Sequence, residues 1–300
     1  MTNGAGRRLE TPQIQVRLRP ANDDFAAATM IPQVPFAESF RFGSASEESG
    51  ELAWPDETYR ESVWWEWIAP SHGVVLASSF GRLSAFTGES LGALRPVQTS
   101  TNLVLRLEAQ AGTIYHFRVA RLSAWKQTPF TLTWPPSNDD FVNRVTLSGD
   151  DITLTIPNII ASLEPREPLR ATNVAAPPWS MWWSWTAPAT GAFLGRAMSL
   201  GFPLSSGLVD VFNGDAVDAL TRRQLTKISS SSDWFSVRVQ AGETLQLAMN
   251  AGYAASPLNT NAIFHFGFLP DPQPRSLSAP FLLGNGQFLI AASAAARVSW

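Results

Sequence analysis

Ser62-Val63-Trp64-Trp65-Glu66-Trp67-Ile68-Ala69-Pro70-Ser71-His72-Gly73 returns 118 positions later as Ser180-Met181-Trp182-Trp183-Ser184-Trp185-Thr186-Ala187-Pro188-Ala189-Thr190-Gly191. Three tryptophans, an Ala-Pro and a glycine keep their spacing, and tryptophan is too rare for chance to repeat it so. The chain is an internal duplication. In a strand, side chains alternate between faces, so Val63, Trp65 and Trp67 share one side and Trp64, Glu66 and Ile68 the other. Polar Glu66 and Ser184 assign the Trp65/Trp67 and Trp183/Trp185 side to the core. Trp64 and Trp182 are left facing away, either covered by a neighbouring loop or offered as a flat platform to a sugar ring or a partner.

The duplication extends outward from this strand. Asn22-Asp23-Asp24-Phe25 recurs as Asn138-Asp139-Asp140-Phe141, and Ala45-Ser46 through Glu48 and Glu51 recurs as Ala161-Ser162 through Glu164 and Glu167, both at an offset of 116. The offset reaches 134 at the closing runs Phe130–Trp134 and Phe264–Phe268, as insertions in the second copy's loops require. A period this long is a whole domain copied, not a solenoid repeat. Pro135-Pro136-Ser137 is a joint too short for a flexible tether and stiffened by two prolines.

Within each copy the pattern is one of short strands. Leu103–Leu107 and Thr113–Val119 alternate around Ala111-Gly112, as Phe235–Val239 and Thr244–Met249 do around Ala241-Gly242, and each pair is predicted to form a hairpin. Glu89–Leu94 and Asp215–Leu220 each predict one short helical turn. Many short strands with regular turn signals predict an all-β chain of two tandem β-sandwiches. The expected division is an extended segment at 1–19, a first sandwich at 20–134, a second at 136–269, and a linker with the incomplete start of a further β domain at 270–300. In that tail, Phe281–Ile290 is predicted to be a hairpin around Asn285-Gly286.

Composition excludes more than it assigns. The 300 residues carry a net charge of −3 with Lys and Arg thinly spread, so no electrostatic footprint for nucleic acid is present. There is no cysteine, which excludes disulfides, thiol nucleophiles and Cys-ligated zinc. No apolar run is long enough to span a membrane as a helix, and Met1–Pro20 has no apolar core of a secretory signal. His72, His116 and His265 occupy non-equivalent places, and no nucleophile elbow, zinc-protease motif or phosphate loop occurs. No catalytic residues are assigned.

The repeated acids are the second constellation. Asp23, Asp24, Glu48 and Glu51, with Asp139, Asp140, Glu164 and Glu167, are candidate calcium ligands because Ca²⁺ takes six to eight oxygens. Turn and cap chemistry is the other reading, since Asn-Asp before a strand commonly builds a turn.

Taken together, Asn-Asp-Asp-Phe, Glu164-Pro165-Arg166-Glu167-Pro168, the Ser-x-Trp-Trp-x-Trp-x-Ala-Pro-x-x-Gly strand, Val211-Phe212-Asn213-Gly214 and the Ala-Gly turn resemble the bacterial pre-peptidase C-terminal (PPC-like) domain. The likeness spans most of 20–134 and 136–269. The first copy departs from it, with Glu47-Glu48-Ser49-Gly50-Glu51 in place of Glu-Pro-x-Glu-Pro. The resemblance implies a jelly-roll-like sandwich in large secreted or surface proteins, with Ca²⁺ as the one cofactor in view. The function it implies is a non-catalytic accessory pair that presents or targets a neighbouring domain to an extracellular polymer, polysaccharide or protein. A purely structural spacer is the alternative. A third reading is a hydrolase-associated portion of a longer extracellular protein whose catalytic domain lies outside this chain.

Overall fold

A computed structural model describes residues 18–52, 61–100, 103–121, 128–156, 160–168, 180–199, 202–203, 209–228, 234–249 and 262–272. The segment 1–17 and the Phe281–Ile290 hairpin expected in the tail lie outside the described residues. The described residues up to Pro270 belong to one compact unit, and it is made of two tandem β-sandwiches. Among the described residues the helical segments are single 3-10 turns, including those at Leu91–Ala93 and Val217–Ala219, where short helical turns are predicted.

The first sandwich contains β1 (Thr29–Met30), β2 (Phe36–Phe40), β3 (Ser62–Ile68), β4 (Gly73–Ser79), β5 (Arg82–Thr87), β6 (Arg95–Thr99), β7 (Val104–Ala109), β8 (Ile114–Ala120) and β9 (Thr128–Thr133). One sheet runs β1-β3-β8-β5-β6 and the facing sheet β2-β9-β4-β7. The second contains β10 (Val145–Leu147), β11 (Asp151–Ile156), β12 (Met181–Thr186), β13 (Gly191–Ser199), β14 (Phe202–Pro203), β15 (Val209–Asn213), β16 (Thr221–Arg222), β17 (Thr226–Lys227), β18 (Phe235–Val239), β19 (Thr244–Met249) and β20 (Ala262–Pro270). Its sheets run β10-β12-β19-β15-β16 and β11-β20-β13-β18-β17, with β14 beside β13. The strand orders correspond, and in both copies the first short strand pairs in parallel with the tryptophan strand.

The turns at Ala111-Gly112 and Ala241-Gly242 correct the hairpin expectation. β7 pairs with β4 in one sheet, whereas β8 pairs with β3 and β5 in the other. β18 and β19 are divided between sheets in the same way. Each turn therefore arches across the core. Leu105, Leu107 and Ala109 face Tyr115, Phe117 and Val119 across one apolar cluster. Period-two alternation is identical in a hairpin and in such an arch, so the pattern alone could not separate them.

The core is where the alternation placed it. Trp65 and Trp67 lie in the first sandwich's apolar cluster, and Trp183 and Trp185 in the second's. Trp65 stacks on Phe130 with ring centroids 4.2 Å apart, and its indole N–H donates to Glu38 at 2.8 Å. Trp185 packs on Phe193 and Phe268 and donates to the Gly149 carbonyl at 3.0 Å. Buried aromatic area with the polar tip satisfied at the rim is the economical use of tryptophan in a small sandwich.

Candidate functional site

The outer face of each tryptophan strand carries the chemistry. Trp64 and Trp182 are 1% and 0% exposed, which corrects the platform reading: neither ring can be offered to a ligand. A short 3-10 turn covers each of them. Phe25 meets Trp64 edge-on at 5.3 Å and 88°, and Phe141 meets Trp182 at 5.1 Å and 90°. Phe86 and Phe212 close the other side, both at 5.8 Å. Neither indole N–H finds a hydrogen-bond partner among the described residues, so these rings contribute area and shape, not recognition.

The Asn-Asp-Asp-Phe segment is the bracket that holds this cover down. Asn22 accepts the Trp64 backbone N–H on its carbonyl and donates its side-chain amide back to the Trp64 carbonyl, both at 2.9 Å. Asn138 and Trp182 repeat the exchange at 2.9 and 3.0 Å. Asn extends the sheet by one rung with its own side chain. Asp23 then takes the Ser46 N–H at 2.7 Å and the Ser46 hydroxyl at 2.9 Å. Asp139 takes both groups of Ser162 at 2.6 Å.

The glutamates hold the second loop. Glu48 accepts the Phe25 N–H at 2.8 Å, and Glu164 the Phe141 N–H at 2.9 Å, each capping the exposed donor at the start of the 3-10 turn. Glu51 accepts the Glu48 N–H at 3.0 Å and the Ser62 hydroxyl at 2.7 Å. Glu167 does the same for the Glu164 N–H at 3.0 Å and for the Ser180 hydroxyl. This chain of bonds explains the repeated spacing of Asp23, Glu48 and Glu51 and of Asp139, Glu164 and Glu167: each is placed to take an amide or a hydroxyl that the loop would otherwise strand.

Arginine completes the corner. In the first sandwich Arg19 donates to Asp23, to Asp24 and, at 3.1 Å, to the Ser46 hydroxyl. In the second, Arg106 of β7 reaches across from the first sandwich. It donates to Asp139 at 2.9 Å, to Asp140 at 3.2 Å and to Ser162 at 2.8 Å. The residues do not fit calcium. Their oxygens already accept amides, hydroxyls and a guanidinium, and a hard cation would have to displace that positive group. Among the described residues no group of three or more His, Cys, Asp and Glu side chains stands where it could hold a metal ion.

Charge balance differs between the copies. Arg118 sits 3.3 Å from Glu51, both side chains almost fully buried, and also donates to the Leu52 carbonyl. On the tryptophan strand's neighbour in the second sandwich, Ala248 pairs with Trp182 as Arg118 pairs with Trp64. Glu167 has the same bonds as Glu51 without that cation, and burial pushes its carboxyl up to about 7 against the pull of Ser180 and the Glu164 N–H. Burial raises Asp139 as well, opposed by Ser162 and Arg106. His116 lies beside Phe25 and 3.6 Å from Glu66, and its burial lowers the imidazole below its usual range despite that carboxylate.

Of the acids singled out by sequence, all eight fall in these two corners. The residues that sequence reasoning missed are Arg19, Arg106, Arg118, Ser46, Ser62 and their counterparts Ser162 and Ser180. The serines had a signal, since they recur at the common offset. Arg106 had none, because its partner lies in the other copy.

No family model matches the chain, and no curated protein matches it. Among solved structures, the CUB1-EGF-CUB2 domains of rat MASP-1 are similar over 80% of this chain and 99% of that one, at 8% identity and a TM-score of 0.18. The PBSX exported protein XepA is similar over 78% and 86% of the two chains, at 6% identity and a TM-score of 0.21. At such low superposition neither likeness bears on what this chain does.

Proposed function

We propose that the chain is a non-catalytic accessory pair of a larger extracellular bacterial protein, holding a neighbouring domain in position instead of acting on a substrate. One observation carries this reading. In both copies the acids and outer tryptophans that looked like ligand residues are parts of an internal frame, bonded to equivalent amides, hydroxyls and guanidinium groups and packed on equivalent rings. Chemistry spent twice on the same loop is structural chemistry. The resemblance to PPC-like domains agrees with it.

The test has two arms. Purified chain is incubated with peptide, ester and glycoside substrates, and no turnover above buffer is expected; turnover overturns the reading. The chain is then placed between a donor and an acceptor fluorescent protein. Transfer efficiency is expected to stay constant with added viscogen, as a stiff presenter requires. An efficiency that tracks a flexible linker of equal length overturns it. Retention on insoluble polysaccharide or fibrous protein, through surfaces other than Trp64 and Trp182, would add the targeting role expected from the resemblance.

A further inference from the structure

We infer that the Asp-Asp-Ser corner of each sandwich is an arginine receptor, and that in the second sandwich it is the joint locking the two copies together. The receptor consists of a doubly bonded aspartate, its more exposed neighbour and a serine hydroxyl. The two corners receive their guanidinium from unrelated places. Arg19 comes from the segment just before the first sandwich, four residues from Asp23, whereas Arg106 comes from a strand of another domain. Two arginines of different origin making the same three contacts point to a guanidinium as what the corner recognises. In each corner two guanidinium nitrogens engage at once, one on the buried aspartate and a second on its neighbour, a forked contact that the single nitrogen of an ammonium group does not reproduce.

Burial makes this contact strong enough to matter. Arg106 and Asp139 side chains are 18% and 2% exposed, so the pair is little screened by solvent. Leu103 and Val104, at the start of the same strand, pack against the second sandwich's apolar cluster and shield the contact further. The joint has a direction. Arg106 stands opposite Leu76 on β4, and the residue opposite Leu194 at the equivalent place on β13 is Ser236. The second sandwich thus has the receptor but offers a hydroxyl where the first offers the guanidinium. This deepens the presenting role proposed above, and its readout contains no ligand, so failure of either idea leaves the other measurable.

The absence of native cysteine allows clean double labelling. Val97→Cys on the first sandwich and Ile228→Cys on the second, both exposed, take spin labels for pulsed electron-electron distance measurement in the full chain. The parent is expected to give one narrow distance. Arg106→Ala is expected to lose it and give a broad distribution, Arg106→Lys an intermediate one, and Arg19→Ala no change. Ethylguanidinium added to Arg106→Ala is expected to restore the narrow distance, and ethylammonium is not. Near-ultraviolet circular dichroism checks that the tryptophan packing survives. If Arg106→Ala fails that check, Asp140→Asn, which leaves the Ser162 bonds in place, is measured instead and must also broaden the distribution. A distribution equally narrow without the arginine, or broadened as much by Arg19→Ala, overturns the proposal.

Discussion

The two sandwiches repeat each other bond for bond at the Asn-Asp-Asp-Phe corner and then part at the charge beneath it. The first buries a glutamate with an arginine, Glu51 with Arg118. Among the described residues the second buries Glu167 against serine and amide, with Ala248 in the arginine's place. Yet the loop each glutamate holds has the same course. The loop geometry is thus set by hydrogen bonds to the backbone, and the buried cation is an adjustable addition to it. A second difference runs the other way. The turn between the paired glutamates needs a residue of positive φ; the first copy uses Gly50 at 101° and the second Arg166 at 71°. The first copy is better matched at both places.

The sharpest way to break the comparison is to remove what both copies share. Trp182→Ala should cost the second sandwich about 3–5 kcal/mol, the usual range for emptying a large aromatic site. Urea unfolding should show its transition moving while that of the first sandwich holds. Equal stability before and after would mean that the ring is not packing at all.

Next in size is the removal of what only one copy has. Arg118→Ala leaves Glu51 buried without its cation and should cost the first sandwich on the order of 3 kcal/mol. The variant should also acquire a pH dependence resembling that of its twin, read as midpoint against pH.

That native dependence is the third prediction. Glu167 titrates near 7 in the folded chain and near 4.5 when unfolded. Its contribution is fully present below the unfolded value and is lost as pH rises through the folded one. The second sandwich should therefore weaken between pH 4.5 and about 7 and level off above, by about 3 kcal/mol in all. Glu167→Gln should flatten that slope and leave the first sandwich's curve alone. A slope that survives the substitution assigns it to another group.

The smallest effect tests the turn. Arg166→Gly should stabilise the second sandwich by about 0.5 kcal/mol, since relief of the left-handed backbone is partly offset by the freer unfolded chain. A thermal melt in which the second transition moves down would show that the arginine side chain, which reaches Asp218 at 3.5 Å, matters more than its backbone.

How much of this was legible depended on how far apart in the chain the causes lie. The duplicated Trp-Trp-x-Trp strand showed the copy number and, through alternation, which indoles face inward. It could not show that Phe25 and Phe141 fold back over the outward ones, because contact between distant segments leaves no local period. The acids repeated with their serines, so the corner could be located, but whether oxygens gather round a cation or round amides depends on loop paths. Arg106 reads as any polar position of an alternating strand. Only the packing of one copy on the other gives it a partner.

That packing has a consequence for solubility. β7 is the outermost strand of its sheet, and a bare outer strand offers unpaired amides and carbonyls to any passing chain. The second sandwich meets the same hazard beside β18 with two residues of its own, Thr226 and Lys227, paired to Ser236 and Phe235. Among the described residues the first has no such strip, and the second sandwich packs against β7 through Leu103, Val104 and Arg106. Expressed alone, the second sandwich should stay monomeric, whereas the first should self-associate through β7.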